Sequence, residues 1–127
     1  MWHGHQDMDF KMKEEFKQWL QMAKEDSNEK LLKDFKDKLS NHIPITKMLL
    51  FGSRARRDEN KWSDFDLIIV SDNFQNKDTL HRPFELYDYW DLDYPVDFIC
   101  YTPKEYNKLK NKMAILKNAL KEGIEIK

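Results

Sequence analysis

Two apolar runs, Lys47 to Phe51 and Leu67 to Val70, flank a segment that opens with Gly52-Ser53 and closes with Asp64-Phe65-Asp66. The first run ends at a glycine and reads as a buried strand entering a tight turn, then a short basic helix. The second, Leu67-Ile68-Ile69-Val70, is apolar at every position, as in a central strand covered above and below. Side chains two apart on a strand leave the same face, so Asp64 and Asp66 would set two carboxylates roughly 6.5 Å apart along the chain. An ionised side chain at the mouth of such a strand is costly unless it is paired, coordinated or left near water.

With 127 residues, 40% of them hydrophobic and 13% aromatic, the chain suits one domain with a real core. We expect a single domain over 1–127, made of a helical extension at 1–42 and a core at 46–126. The formal net charge of −1 lacks the basic footprint of a protein that grips nucleic acid through its phosphates. No stretch approaches a membrane span and no signal peptide precedes the charged N-terminus, so a soluble cytoplasmic protein is expected. Cys100 is the single cysteine and lies in Phe98-Ile99-Cys100-Tyr101, which predicts a buried, inert thiol rather than a nucleophile.

Ahead of the first strand, Met12, Phe16, Trp19, Leu20 and Ala23 recur at helical spacing. Asp26 or Ser27 can cap a second helix with Leu32, Phe35 and Leu39 on one face. The expectation is an amphipathic helical hairpin, ended by the extended Ile43-Pro44-Ile45. Later elements are a helix near 83–91, a strand at Val96 to Tyr101, and a helix opened by Thr102-Pro103-Lys104-Glu105. That last helix is expected to reach Leu120 with a break, before a stop at Gly123 and a short strand at Ile124 to Ile126. The aromatics between 84 and 94 read as core or interface, with base stacking open to one of them. His3 and His5 lie on a tail, and His42 and His81 have no partners at ligand spacing.

Asp97 repeats the anomaly of Asp66, standing inside Pro95-Val96-Asp97-Phe98-Ile99. Carboxylates placed like Asp64 and Asp66, two apart on one strand, can flank two magnesium ions about 3.5–4 Å apart, the arrangement used for in-line phosphoryl transfer. A second strand with an aspartate in an apolar run invites a shared site. Gly52 allows close backbone approach to a ligand, and Ser53 adds a hydroxyl beside exposed amides. Arg54, Arg56 and Arg57 follow and can meet phosphate oxygens bidentately. The plainer alternatives are a turn role for Asp64, a buried salt bridge for Asp66 and Asp97, and a solvated basic face for the arginines.

Gly52-Ser53, ten intervening residues, Asp64-Phe65-Asp66 and a later strand aspartate, Asp97, resemble the signature of the DNA polymerase beta nucleotidyltransferase superfamily. The wording Gly-Ser-Arg-Ala-Arg, Ser-Asp-Phe-Asp-Leu and Pro-Val-Asp-Phe looks most like its minimal nucleotidyltransferases. The resemblance covers residues 46 to about 126. It implies an α/β (α+β) fold, a small mixed sheet with its site on one face, and transfer of a nucleoside monophosphate, AMP from ATP, with loss of pyrophosphate. It also implies that Asp64, Asp66 and Asp97 hold two magnesium ions, with Asp97 helping to deprotonate the acceptor hydroxyl. Gly52, Ser53, Arg54 and Arg56 would then hold the triphosphate.

Where members commonly carry a glycine after the second arginine, this chain has Arg57 and then Asp58, which implies a changed turn. The resemblance further implies a HEPN-domain protein partner, in a toxin–antitoxin pair in which a toxin tyrosine is adenylylated. A homo-oligomer is the other expected assembly. Two alternatives stay open: a binding module that neutralises its partner by contact, and an antibiotic-type enzyme acting on a small molecule. Neither nucleic acid nor a membrane is expected as a partner.

Overall fold

A computed structural model describes residues 3–56 and 63–127; the side chains of 3–12, 20–27 and Ile115 are outside the described set. Four strands form one sheet in the order β3-β2-β1-β4: β1 (Lys47–Phe51), β2 (Phe65–Val70), β3 (Val96–Tyr101) and β4 (Ile124–Glu125). β1 pairs antiparallel with β2 and β4, while β2 and β3 run parallel. Among the described residues five α-helices accompany them: α1 (His3–Ser40), α2 (Ser53–Arg56), α3 (Arg82–Tyr87), α4 (Pro103–Leu109) and α5 (Ala114–Glu122). The architecture is the mixed α/β sheet that the sequence predicts.

Alternation along β2 divides its side chains between two layers. Phe65, Leu67 and Ile69 join Leu32, Phe35 and Leu39 of α1, together with Phe74 and Leu86, in the larger core. Ile68 and Val70 join Leu49, Tyr106 of α4 and Leu116 and Ala119 of α5 on the other face. By the same alternation Asp66 belongs to the α4–α5 face, at the end of β2 where its partner Phe51 packs against the edge of the second cluster. Three of the aromatics expected in core or interface positions are there: Trp90 meets Phe35 at 4.9 Å between ring centroids, Phe65 at 5.5 Å and Phe98 at 5.9 Å, with Tyr89 and Tyr94 packed nearby.

The N-terminal region departs from expectation. In place of a hairpin, one helix of 38 residues runs from His3 to Ser40. Between Gly4 and Pro44 the sequence holds neither glycine nor proline. Asp-Ser-Asn at 26–28 costs only tenths of a kcal/mol per residue in a helix interior, roughly 0.7 at most. A potential cap does not break a helix unless the chain also has a reason to turn. The Met12, Leu20 and Ala23 side chains, the caps expected at Asp26 and Ser27, and His3 and His5 lie outside the described side chains; Phe16 and Trp19 are exposed and stacked at 6.0 Å. Arg57 and Asp58 lie outside the described residues.

Other boundaries follow local chemistry. α3 ends at Tyr87, short of the expected 91, and Trp90 Nε1 donates to the Tyr94 carbonyl at 2.8 Å to close the following turn. Thr102 and Glu105 form the reciprocal capping box at the start of α4. The expected break separates α4 from α5. β3 is an edge strand, and α3 covers its outer carbonyls with side chains: the Tyr87 hydroxyl donates to Val96 at 3.3 Å, and Arg82 Nη1 to Cys100 at 3.3 Å. Arg82 is buried and also meets Glu105 at 2.6 Å, which holds that carboxyl below its usual range. Burial pushes the Cys100 thiol up to about 12, so it stays protonated and unreactive.

Gly123 ends α5 with φ −76°, a conformation open to any residue. Its requirement is spatial: a Cβ there would press on the carbonyls of Ala119 and Leu50. Gly123→Ala should therefore destabilise the fold by about 1–3 kcal/mol through overpacking, in urea unfolding. An unchanged midpoint would refute the packing argument.

Candidate active site

The parallel register places Asp66 of β2 directly beside Asp97 of β3. Neighbouring strands lie about 4.8 Å apart, so these two carboxylates emerge side by side from one face. On the other flank Asp66 is opposite Phe51, the residue before Gly52. Asp64 precedes β2 and is exposed, Asp97 is exposed, and Asp66 is half-buried. The three aspartates singled out in the sequence are thus brought to one end of the sheet.

Their charges interact. The Asp66 carboxyl is raised above the usual aspartate value, first by burial, then by the negative charges of Asp97 and Asp64; Arg56 acts in the opposite sense. Among the described residues no three His, Cys, Asp or Glu side chains converge closely enough to enclose a metal ion unaided. The donor set still fits magnesium, which takes few carboxylates and completes its shell with phosphate oxygens and water.

Gly52 is bound to this geometry by contact. It has φ +76°, and a Cβ there would fall on Asp66 Oδ2. The absent side chain is what lets the turn after β1 close over the carboxylate. Ser53 opens α2 beside it, and Gly52 O accepts from the amides of Ala55 and Arg56, each at 3.1 Å. A cleft of about 160 Å³ opens next to the turn, lined by Phe51, Gly52, Arg56, Asn118, Ala119 and Glu122. Arg56 lies 3.8 Å from Glu122 across it.

The structure does not bring Arg54 to the acids. Its guanidinium is buried: Nε and Nη2 donate to the Ser63 carbonyl at 3.0 and 2.9 Å, and Nη1 to Asn28 Oδ1 at 3.2 Å. Its plane lies over Phe65 at 4.1 Å and Tyr94 at 4.6 Å. Residues two apart on a helix point in nearly opposite directions, about 200° around the axis, so Arg54 and Arg56 cannot both face the turn. Arg56 is the one directed to the site. The helical spacing of the two arginines carries this distinction, which a reading of each as a phosphate ligand misses.

Sequence reasoning also missed Tyr87. Its hydroxyl is anchored on Val96, next to Asp97, and burial and then the Asp97 charge raise its phenol above the ordinary tyrosine value. No local motif announces it, because the proximity depends on where α3 crosses the strand edge.

Two outcomes follow. Arg54→Lys should lower stability by about 1.5–3 kcal/mol in chemical denaturation, since an ammonium replaces neither the fork nor the stacking. For Asp66 the folded carboxyl titrates above its unfolded value, so its favourable contribution is full below the unfolded pKa and is lost as pH rises through the folded one. Asp66→Asn should accordingly raise Tm relative to the unsubstituted chain at neutral pH, and the gain should shrink as thermal scans move to acid. A variant less stable at every pH would contradict the electrostatic account.

The nucleotidyltransferase domain family matches residues 29–124, a span that takes in the last part of α1 with the sheet. Among solved structures, the chain resembles a Sulfolobus solfataricus protein whose assignment as a nucleotidyltransferase is provisional. The two share 20% identity and superpose with a TM-score of 0.59, over 83% of this chain and 84% of that one. No curated protein matches significantly. Matched over most of its length and carrying the acids and the glycine turn in one place, the chain belongs to the nucleotidyltransferase domain family of the DNA polymerase beta superfamily.

Proposed function

We propose that this nucleotidyltransferase is magnesium-dependent and moves AMP from ATP onto a hydroxyl of a partner protein. One observation carries the reading: Asp66 stands in register with Asp97 while the Gly52 turn closes onto the Asp66 carboxylate. Phosphate and acceptor would meet where those two features meet. Asp64, Asp66 and Asp97 are the residues that would hold magnesium, which when bound offsets both their mutual repulsion and the charge of the phosphates.

The remaining steps fall to the chain's own groups. The Gly52 and Ser53 amides and Arg56 hold the outgoing phosphates. The acceptor oxygen attacks the α-phosphorus, the bond from that phosphorus to the bridging oxygen breaks, and pyrophosphate leaves with the electron pair. Asp97, the most accessible carboxylate of the Asp66–Asp97 pair, takes the acceptor's proton. Tyr87 holds the backbone beside Asp97 through Val96.

The acceptor we propose is a tyrosine of a HEPN-domain protein, with this chain the antitoxin of the pair. The motif resemblance supports that assignment. Purified chain, labelled ATP, magnesium and the partner encoded beside it should give a labelled partner. Asp64→Asn, Asp66→Asn and Asp97→Asn should each lower transfer by about a hundredfold or more, as loss of charge stabilisation at the reacting phosphate demands. Chelation should abolish transfer and added magnesium restore it. Neutralisation of the partner by the Asp66→Asn protein, without label, would favour a contact-only module.

A further inference from the structure

α3 and the turn before it carry three large apolar side chains turned to water: Leu80 is 75% exposed, Phe84 61% and Tyr87 43%. They are spaced i, i+4, i+7, which puts them on one side of a helical stretch. Contiguous exposed apolar surface of this kind marks contact sites more often than isolated residues do. The patch adjoins the candidate active site, because the Tyr87 hydroxyl is bonded to Val96, the residue before Asp97.

The charge around the patch is mostly acidic, with Asp91 paired to Lys38 at 2.8 Å. Between residues 64 and 97 the sequence holds nine acidic residues and two basic ones. Both basic ones are occupied: Lys77 pairs with Glu85 at 2.9 Å, and Arg82 is buried on Glu105. Asp78 lies at one end of the patch, against His81 and the Leu80 amide, and Asp88 lies at the other. Asp93, in the loop after α3, and Asp97, on β3 beside the Tyr87-bonded Val96, are exposed as well.

We propose that the Leu80–Phe84–Tyr87 face and the acids flanking it are the docking surface for the acceptor, a protein segment that carries lysine or arginine beside the hydroxyl to be modified. The apolar side chains supply contact area, and the acids select a basic segment and repel an acidic one. A segment laid along α3 reaches Asp97 at its Tyr87 end. The proposal rests on the reading that the acceptor hydroxyl approaches Asp97.

The test uses the full chain and two fluorescent probes, random copolymers of lysine with tyrosine and of glutamate with tyrosine, in anisotropy titrations without nucleotide. The lysine copolymer should bind at least about tenfold tighter, with an advantage that shrinks as salt rises. Leu80→Ser with Phe84→Ser should weaken that binding by about fivefold or more, and Asp88→Lys with Asp93→Lys should do so independently. Affinity for magnesium–ATP, measured by calorimetry, should not change in either double variant.

Equal binding of both copolymers, or binding indifferent to the Leu80 and Phe84 changes, would overturn the proposal. So would a loss of ATP affinity in the Leu80 and Phe84 variant, which would make the patch a nucleotide platform. A shift of the chain from dimer to monomer on the same substitutions would also overturn it, by showing a self-association face. Docking as described but without transfer of labelled AMP would refute the catalytic reading and leave the docking surface standing. Transfer without docking would do the reverse.

Discussion

The guanidinium of Arg54 holds together parts of the chain that would otherwise have no reason to meet. It reaches Asn28 on the long N-terminal helix, the carbonyl just before β2, and the faces of Phe65 and Tyr94. A buried cation so placed is costly to remove from water, and only this full set of partners offsets the cost. Because Arg54 is in α2, the clamp also fixes the turn at Gly52 relative to β2. Were the clamp loosened, the close approach of Gly52 to Asp66 would lose its support. The Gly52 turn and the acid-bearing strand therefore share one anchor.

The sheet separates stability from chemistry by its alternation. One face is closed by α1, α3 and the aromatics around Trp90. The other is closed by α4 and α5 over Leu49, Ile68 and Val70, while its end at Asp66 and Asp97 stays open, with Asp97 exposed and Asp66 half-buried. At the open end the chain tolerates neighbouring carboxylates, and burial, followed by the charges of Asp97 and Asp64, raises the Asp66 carboxyl above the usual aspartate value. Perturbed carboxylates of this kind mark candidate functional sites, and in the proposed reaction a bound cation would offset their repulsion. The acidic bias continues through the segments flanking α3, at Asp78, Asp88, Asp91 and Asp93, close in sequence to the exposed Leu80 and Phe84.

Much of this was legible in the residues. The glycine turn, the Asp-x-Asp at a strand mouth, the third aspartate, the capping box at Thr102 and the bounds of β1 and β3 all rest on short-range chemistry. Failures arose where a local signal competed with a longer one. Asp26 and Ser27 look like caps, yet the helix continues because nothing in 5–43 forces a turn. Arg54 and Arg56 look equivalent in a run of basic residues, yet their helical spacing sends them to opposite sides.

The sequence by itself picked out the aspartates, the glycine turn and the strands that bear them, since periodicity and turn residues act within a few positions. Only the tertiary structure decided that Asp66 and Asp97 stand side by side, that Arg54 is a buried clamp, and that Tyr87 borders the acids. Those facts depend on strand register and on where helices cross the sheet. Both are set by the packing of residues far apart in the chain, and no local pattern of side chains encodes them.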